Sequence, residues 1–247
     1  AAYAKWVLRN RLLIIVACVL AVGGLSYGAG YLRFDTSYRA FFSDDNPQLL
    51  AFESIENTYV KDDNVMMIIA PRDGNVFTRE NLAAIELLTQ ASWQVPFSNR
   101  VDSISNFQYT KAEDDDLAVG DMVKVALSLS DADLAAIRAA VLDEPALKNR
   151  LISESGHVTG VNVTVQLPID VRAEATGVIA AFVREMVADL KRENPNLDVY
   201  LSGMVMMDQA FFENAMDDST FLIPLCFALM MGLIALLVGG LFGTFVT

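Results

Sequence analysis

Hydrophobic positions in this chain gather into two long uncharged blocks, and between them into shorter runs that switch between the helical and the strand period. Residues 12–32 carry no charge over 21 positions, and residues 219–247 carry none over 29. A transmembrane helix needs about 20 apolar residues to cross about 30 Å of hydrocarbon, so residues 12–32 read as one span. The second block is longer than one crossing requires, and Gly239-Gly240 interrupts it. It therefore reads as a span over 219–238, then a turn and the start of a third hydrophobic segment over 239–247. With Ala1 at its start, the chain is expected to be a piece of a longer polypeptide. The rival for the first block is a cleaved signal peptide with residues 5–11 as its basic start. An uncharged stretch of 21 residues exceeds the usual apolar region of about 7–15, which favours an uncleaved anchor.

Between the blocks, residues 33–218 alternate helix and strand signals. Residues 34–46 are a connector, and Pro47 suits the first turn of a helix running to Val60, with Leu49, Leu50, Phe52, Ile55 and Tyr59 at helical spacing. The apolar run 65–70, closed by Pro71, predicts a buried strand. Thr78 is a candidate N-cap for a helix to about residue 92, with Leu82, Ile85, Leu88 and Trp93 as its stripe and Pro96 as its stop. Val101, Ile104 and Phe107 predict a second strand, ending before the acidic run 113–116. Ser130 with Asp133 resembles a capping box that opens a helix over 131–142. Residues 151–154 and 158–167, joined through Ser155-Gly156, predict a β-hairpin whose second arm alternates Val161, Val163 and Val165 with polar residues. A helix over 173–192 shows Val178, Ile179, Phe182, Met186, Val187 and Leu190 on one face, and 197–201 is the closing strand. Setting aside the leading and inserted helices, the order is strand, helix, strand, strand, helix, strand. That predicts an α+β, ferredoxin-like (split βαβ) domain. Gly203 permits a bend, and residues 204–218 form a helix leading straight into the second span.

Charge narrows the function classes. All 31 acidic residues lie between Asp35 and Asp218, whereas Lys5, Arg9 and Arg11 precede the first span, so the middle carries 15 basic against 31 acidic residues. Such a surface repels nucleic acid and anionic headgroups, so no nucleic-acid partner is expected. The basic stub 1–11 belongs in the cytoplasm by the positive-inside rule, and the acidic domain outside. Cys18 and Cys226 lie in the apolar blocks and build no disulfide framework. His157 alone cannot make a zinc site. The run 113–116 lacks the spacing of a calcium loop and reads as solvated. No phosphate loop, nucleophile elbow, zinc helix or Cys-x-x-Cys pair occurs, so neither catalysis nor a cofactor is expected. Both apolar blocks lack ionisable residues and therefore hold no proton path. The candidates that remain are Met204, Met206, Met207, Phe211 and Phe212 at the foot of the outer domain, and Phe41 and Phe42 at its other junction. Flexible thioethers and rings accept varied apolar ligands; packing, or an aromatic belt at the membrane surface, accounts for the same residues.

The stretches FDTSYRAFFSDDNP (34–47), YVKDDNVMMIIA (59–70), VTGVNVTVQLP (158–168) and LSGMVMMDQAF (201–211), in this order between two spans, resemble the RND superfamily of exporters, in particular its MMPL-like branch. The resemblance implies a porter domain beside the first span, in a bacterial inner membrane. It further implies proton-driven export of hydrophobic or amphiphilic, lipid-like molecules by a homo-oligomer, with the proton-relay residues in further spans of a parent transporter. Asp35 in the connector and Gly203 at the return toward the membrane are the positions it marks as connector and hinge. The alternative is a two-span sensor with an outer ligand-binding module.

Overall fold

The computed structural model describes residues 6, 9–28, 42, 43, 45–58, 63–113, 116–167 and 172–238. Residues 1–35 and 36–247 are two separate units. The described part of the first holds α1 (Arg11–Gly28), 18 residues with no buried side chain and a mean hydropathy of 2.0. At 1.5 Å per residue it is about 27 Å long, close to the hydrocarbon thickness of a bilayer. Residues 29–32 of the expected span lie outside the described residues.

In the second unit the chain runs α2 (Pro47–Thr58), β1 (Asn64–Pro71), α3 (Arg79–Ser92), β2 (Ser98–Asp102), β3 (Gln108–Glu113), β4 (Asp116–Asp121), a 3-10 turn (Ala126–Ser128) and α4 (Asp131–Asp143). It continues through β5 (Thr159–Val165), α5 (Arg172–Glu193), β6 (Leu197–Ser202), α6 (Met204–Asp217), a π turn (Asp218–Leu222) and α7 (Ile223–Val238). Four strands form one sheet in the order β2-β5-β1-β6, and every neighbouring pair is antiparallel. It follows that β1 and β2 run parallel, with α3 between them in sequence and β5 between them in space. In the same way β5 and β6 run parallel, linked through α5 around β1. Met67 on β1 faces Val161 on one side and Leu201 on the other.

The period-2 alternation of the strands sets the layers. Val65, Met67 and Ile69 of β1 and Val161, Val163 and Val165 of β5 are fully buried. They share a core with Leu82, Ile85 and Leu88 of α3 and Ile179, Val183 and Val187 of α5. Met66, Ile68, Asn162 and Thr164, on the opposite face, are only partly covered. Both helix starts follow the sequence signals. Thr78 Oγ1 accepts the Asn81 N–H, and the Ser130 and Asp133 side chains satisfy each other's backbone N–H groups, each cap being worth about 1 kcal/mol.

Other expectations give way to the tertiary structure. The strand foreseen through Phe107 ends at Asp102, because the Asn106 side chain accepts the Ser103 N–H and donates to the Val101 carbonyl, closing a turn. Thr89, Ser103 and Ser105 meet there at 2.8–3.0 Å, a buried hydroxyl cluster that ties the turn to α3. Residues 108–121 then form a separate hairpin of β3 and β4, with Glu113 opposite Asp116 at the tip of the acidic run. Residues 151–154 make no strand. The Leu147 carbonyl draws in the N–H groups of Arg150, Leu151 and Ile152, leaving single bridges where a hairpin arm was expected. On α5 the inner stripe is Ala175, Ile179, Ala180, Val183 and Val187, which turns Val178 outward. Trp93 lies past the last turn of α3 and is half exposed.

Truncating Ile85 to Ala should therefore cost about 2–5 kcal/mol by opening a cavity in the shared core. Val178→Ala should stay within about 0.5 kcal/mol, both read from the midpoint of denaturant unfolding.

Candidate functional site

The joint where β6 hands the chain to α6 is the place at which the sheet meets the long apolar helix. Gly203 sits there at φ +102°, a conformation open to glycine and strained for other residues. A Cβ at this position would come within 2.5 Å of the Asn64 carbonyl oxygen and 3.0 Å of the Met66 nitrogen, both in the backbone of central strand β1. The absent side chain lets the helix start press directly onto the sheet. Asn64 then works in both directions. Its Oδ1 accepts the Met204 N–H at 3.2 Å, satisfying one of the open donors at the start of α6. Its Nδ2 donates to Asn162 Oδ1 at 2.7 Å across to β5.

A second tie holds α6 along its length. Arg184 of α5 grips the Glu213 carboxylate through both guanidinium nitrogens, at 2.6 and 2.9 Å, and Gln209 donates to the same carboxylate at 2.9 Å. These hydrogen bonds from Arg184 and Gln209 favour the ionised form and pull the Glu213 pKa down to about 2. The Arg184 guanidinium is raised by the same contact.

From this double attachment one helix runs on without a break from Met204 to Leu237, 34 residues and about 51 Å. The π turn eases its passage to α7. The Ile223 N–H reaches back to the Asp218 carbonyl, directly before Pro224, which has no N–H to give. The last stretch of this helix, from residue 219 on, is about 30 Å long, close to the thickness of bilayer hydrocarbon, and α6 before it lies against the domain.

The candidate residues divide along this helix. Val205, Met206 and Asp208 face the domain, and Met206 is only 8% exposed, as part of the core. Met204 is half-buried beside the joint. Met207 and Phe211, four residues apart, form one outward stripe, and Phe212 and Met216 a second; all four are exposed, Phe211 at 58%. This apolar outer side leads directly into the exposed apolar surface of α7. Phe42 is half exposed, whereas Phe41 and Asp35 lie outside the described residues. Among the described residues, no three His, Cys, Asp or Glu side chains are grouped to hold a metal ion. The open sheet face forms a groove of about 860 Å³ whose lining includes Asn64, Met66, Arg100, Arg150 and Asn162.

Asn64, Arg184, Gln209 and Glu213 carried no mark in the sequence. Asn64 and Met204 are 140 residues apart, and Arg184 and Glu213 sit on different helices. A charge at an outward position of each of two amphipathic helices is the one signal that could have paired them. No protein-family model matches the chain, and no curated protein matches it.

Gly203→Ala should destabilise the fold by about 2–4 kcal/mol, combining backbone strain with the clash against β1; a melt of the purified chain reads it. Because the folded Glu213 pKa is depressed, its contribution is present above about 4.5 and is lost as pH falls toward about 2. The pair is more than a third exposed, so Glu213→Gln should cost under about 1 kcal/mol at neutral pH and nothing near pH 2, measured by denaturant unfolding across that range.

Proposed function

We propose that the chain is the first porter domain, with its flanking spans, of an RND-type exporter of the MMPL-like branch, moving hydrophobic or amphiphilic, lipid-like molecules with proton flow. The observation that carries this reading is the single helix from Met204 to Leu237, locked to a central strand at Gly203 and to α5 through Glu213. A transporter whose outer domain follows events in the bilayer needs such a stiff link; an anchor that only tethers does not. The sheet order, with both parallel strand pairs bridged by a helix, supports reading the domain as ferredoxin-like. The two helices apolar and long enough to cross a membrane, with the basic stub on one side and the acidic domain on the other, support an inner-membrane placement with the domain outside the cytoplasm.

On this reading the domain is no enzyme and needs no cofactor. The exposed Met207, Phe211, Phe212 and Met216 surface belongs at the membrane interface, where a lipid-like substrate would enter. The proton-relay groups belong to the further spans of the parent transporter, and the working form is a homo-oligomer.

Everted membrane vesicles carrying the whole polypeptide encoded by the gene should accumulate a fluorescent amphiphile when a proton gradient is imposed, and lose it on adding a protonophore. Absence of gradient-driven uptake, together with a ligand-dependent change in a cytoplasmic partner, would replace this reading with a two-span sensor.

A further inference from the structure

On the side of the domain away from the open sheet face, α3 and α5 touch and leave a groove of about 490 Å³ along their outer surface. The floor is apolar, formed by Leu88, Ala91, Phe182, Met186 and Leu190, with Leu87 standing 58% exposed at the α3 edge. Three carboxylates of α5 complete the lining: Glu185, Asp189 and Glu193. Their spacing of four residues is that of the floor series Phe182, Met186 and Leu190. An acidic row and an apolar row thus run side by side, each repeating about every 6 Å.

Glu185 and Glu193 form no ion pair among the described residues. Asp189 has only Arg192 one turn away, a pair whose side chains are 53% and 77% exposed and so cost little to separate. The α3 edge offers Leu87 and Gln94 and no countercharge, because the one cation of α3, Arg79 in its first turn, is held by the Leu129 carbonyl and the Asp131 carboxylate.

Two parallel rows at the helical repeat are matched by a partner with that same repeat. A helix can lay apolar side chains three and four residues apart into the floor while presenting Lys or Arg one position over to the acidic row. A small cationic amphiphile would neutralise one carboxylate and leave the rest of the row unanswered. A second copy of this chain supplies no such helix, since none of α2 to α6 carries a net positive charge. We propose that the α3/α5 groove docks a basic amphipathic helix of a partner protein. This does not rest on the transport reading.

The test uses the full chain in zwitterionic lipid nanodiscs and a fluorescent Leu/Lys amphipathic helical peptide of about 18 residues, with a Leu/Glu peptide of the same pattern for comparison. Saturable binding of the Leu/Lys peptide alone is expected. Glu185→Lys combined with Glu193→Lys should weaken it at least about tenfold, and Leu87→Asp should weaken it as well. Asp143→Lys combined with Glu144→Lys, the same charge change at the end of α4, should leave it unchanged. Equal loss with both double variants would mean that the peptide answers net charge alone, and would overturn the proposal. So would displacement of the peptide by stoichiometric dodecyltrimethylammonium, which would mark the groove as a small-molecule site.

Discussion

The arrangement of the α/β domain turns on the approach of Gly203 to the backbone of β1. Where any other residue would place a Cβ at 2.5 Å from the Asn64 carbonyl, glycine lets the last strand end and the next helix begin against the middle of the sheet. The direction of α6 is therefore set by the sheet and not by a flexible linker. Asn64 reinforces the contact by accepting from the start of α6 while donating to β5. One side chain thus joins the helix start to the two central strands. The Arg184 pair adds a third point of attachment further along, on the helical layer.

The rest of the molecule follows from layering. A sheet whose inward positions are Val, Ile and Met must bury that face, and α3 and α5 do so. That leaves two surfaces uncovered for different reasons: a partly polar sheet face opposite the core, and a helix-lined groove whose apolar floor is edged by acid. The acidic residues give the domain an anionic surface, and the exposed apolar residues concentrate on α1 and on the outer sides of α6 and α7, with smaller sets at Leu50, Phe52 and Ile55 of α2 and at Leu87 on the groove edge. A continuous helix of 34 residues, apolar and long enough to cross a membrane, is a stiff extension of the domain. Its π turn sits at the passage from α6, which carries Asp208, Glu213 and Asp217, to the uncharged α7, where a helix interrupted by proline would otherwise lose a bond without relief.

Much of this was legible in the residues. The two long apolar helices, the strands β1, β5 and β6, the helices α2 to α6 and the two N-caps all followed from local signals: period, capping side chains and the prolines at 47, 71 and 96. What escaped notice needed contacts distant in sequence. The turn at 103–106 depends on Asn106 reaching back to Val101, and the hairpin β3–β4 hid behind a charge run that read as loop. The outward placement of Val178 came from helix phase, which several apolar positions in a row could not fix. At the joint, Gly203 was visible as a bend. That it also had to be glycine to clear Asn64, 139 positions earlier in the sequence, was not. The division of the methionines, with Met206 in the core and Met207 exposed, was likewise set by how α6 lies on the sheet.

Rigid coupling of domain and span is most directly tested by a distance measurement between them in lipid nanodiscs. With Cys18 and Cys226 replaced, spin labels at Ser155 in the exposed turn and at Leu229 on α7 would be read by double electron–electron resonance. A domain fixed to its helix at Gly203, Asn64 and Glu213 gives a single narrow distance distribution. A broad or multiply peaked distribution would show a hinge between Met204 and Leu229, and would contradict the coupling.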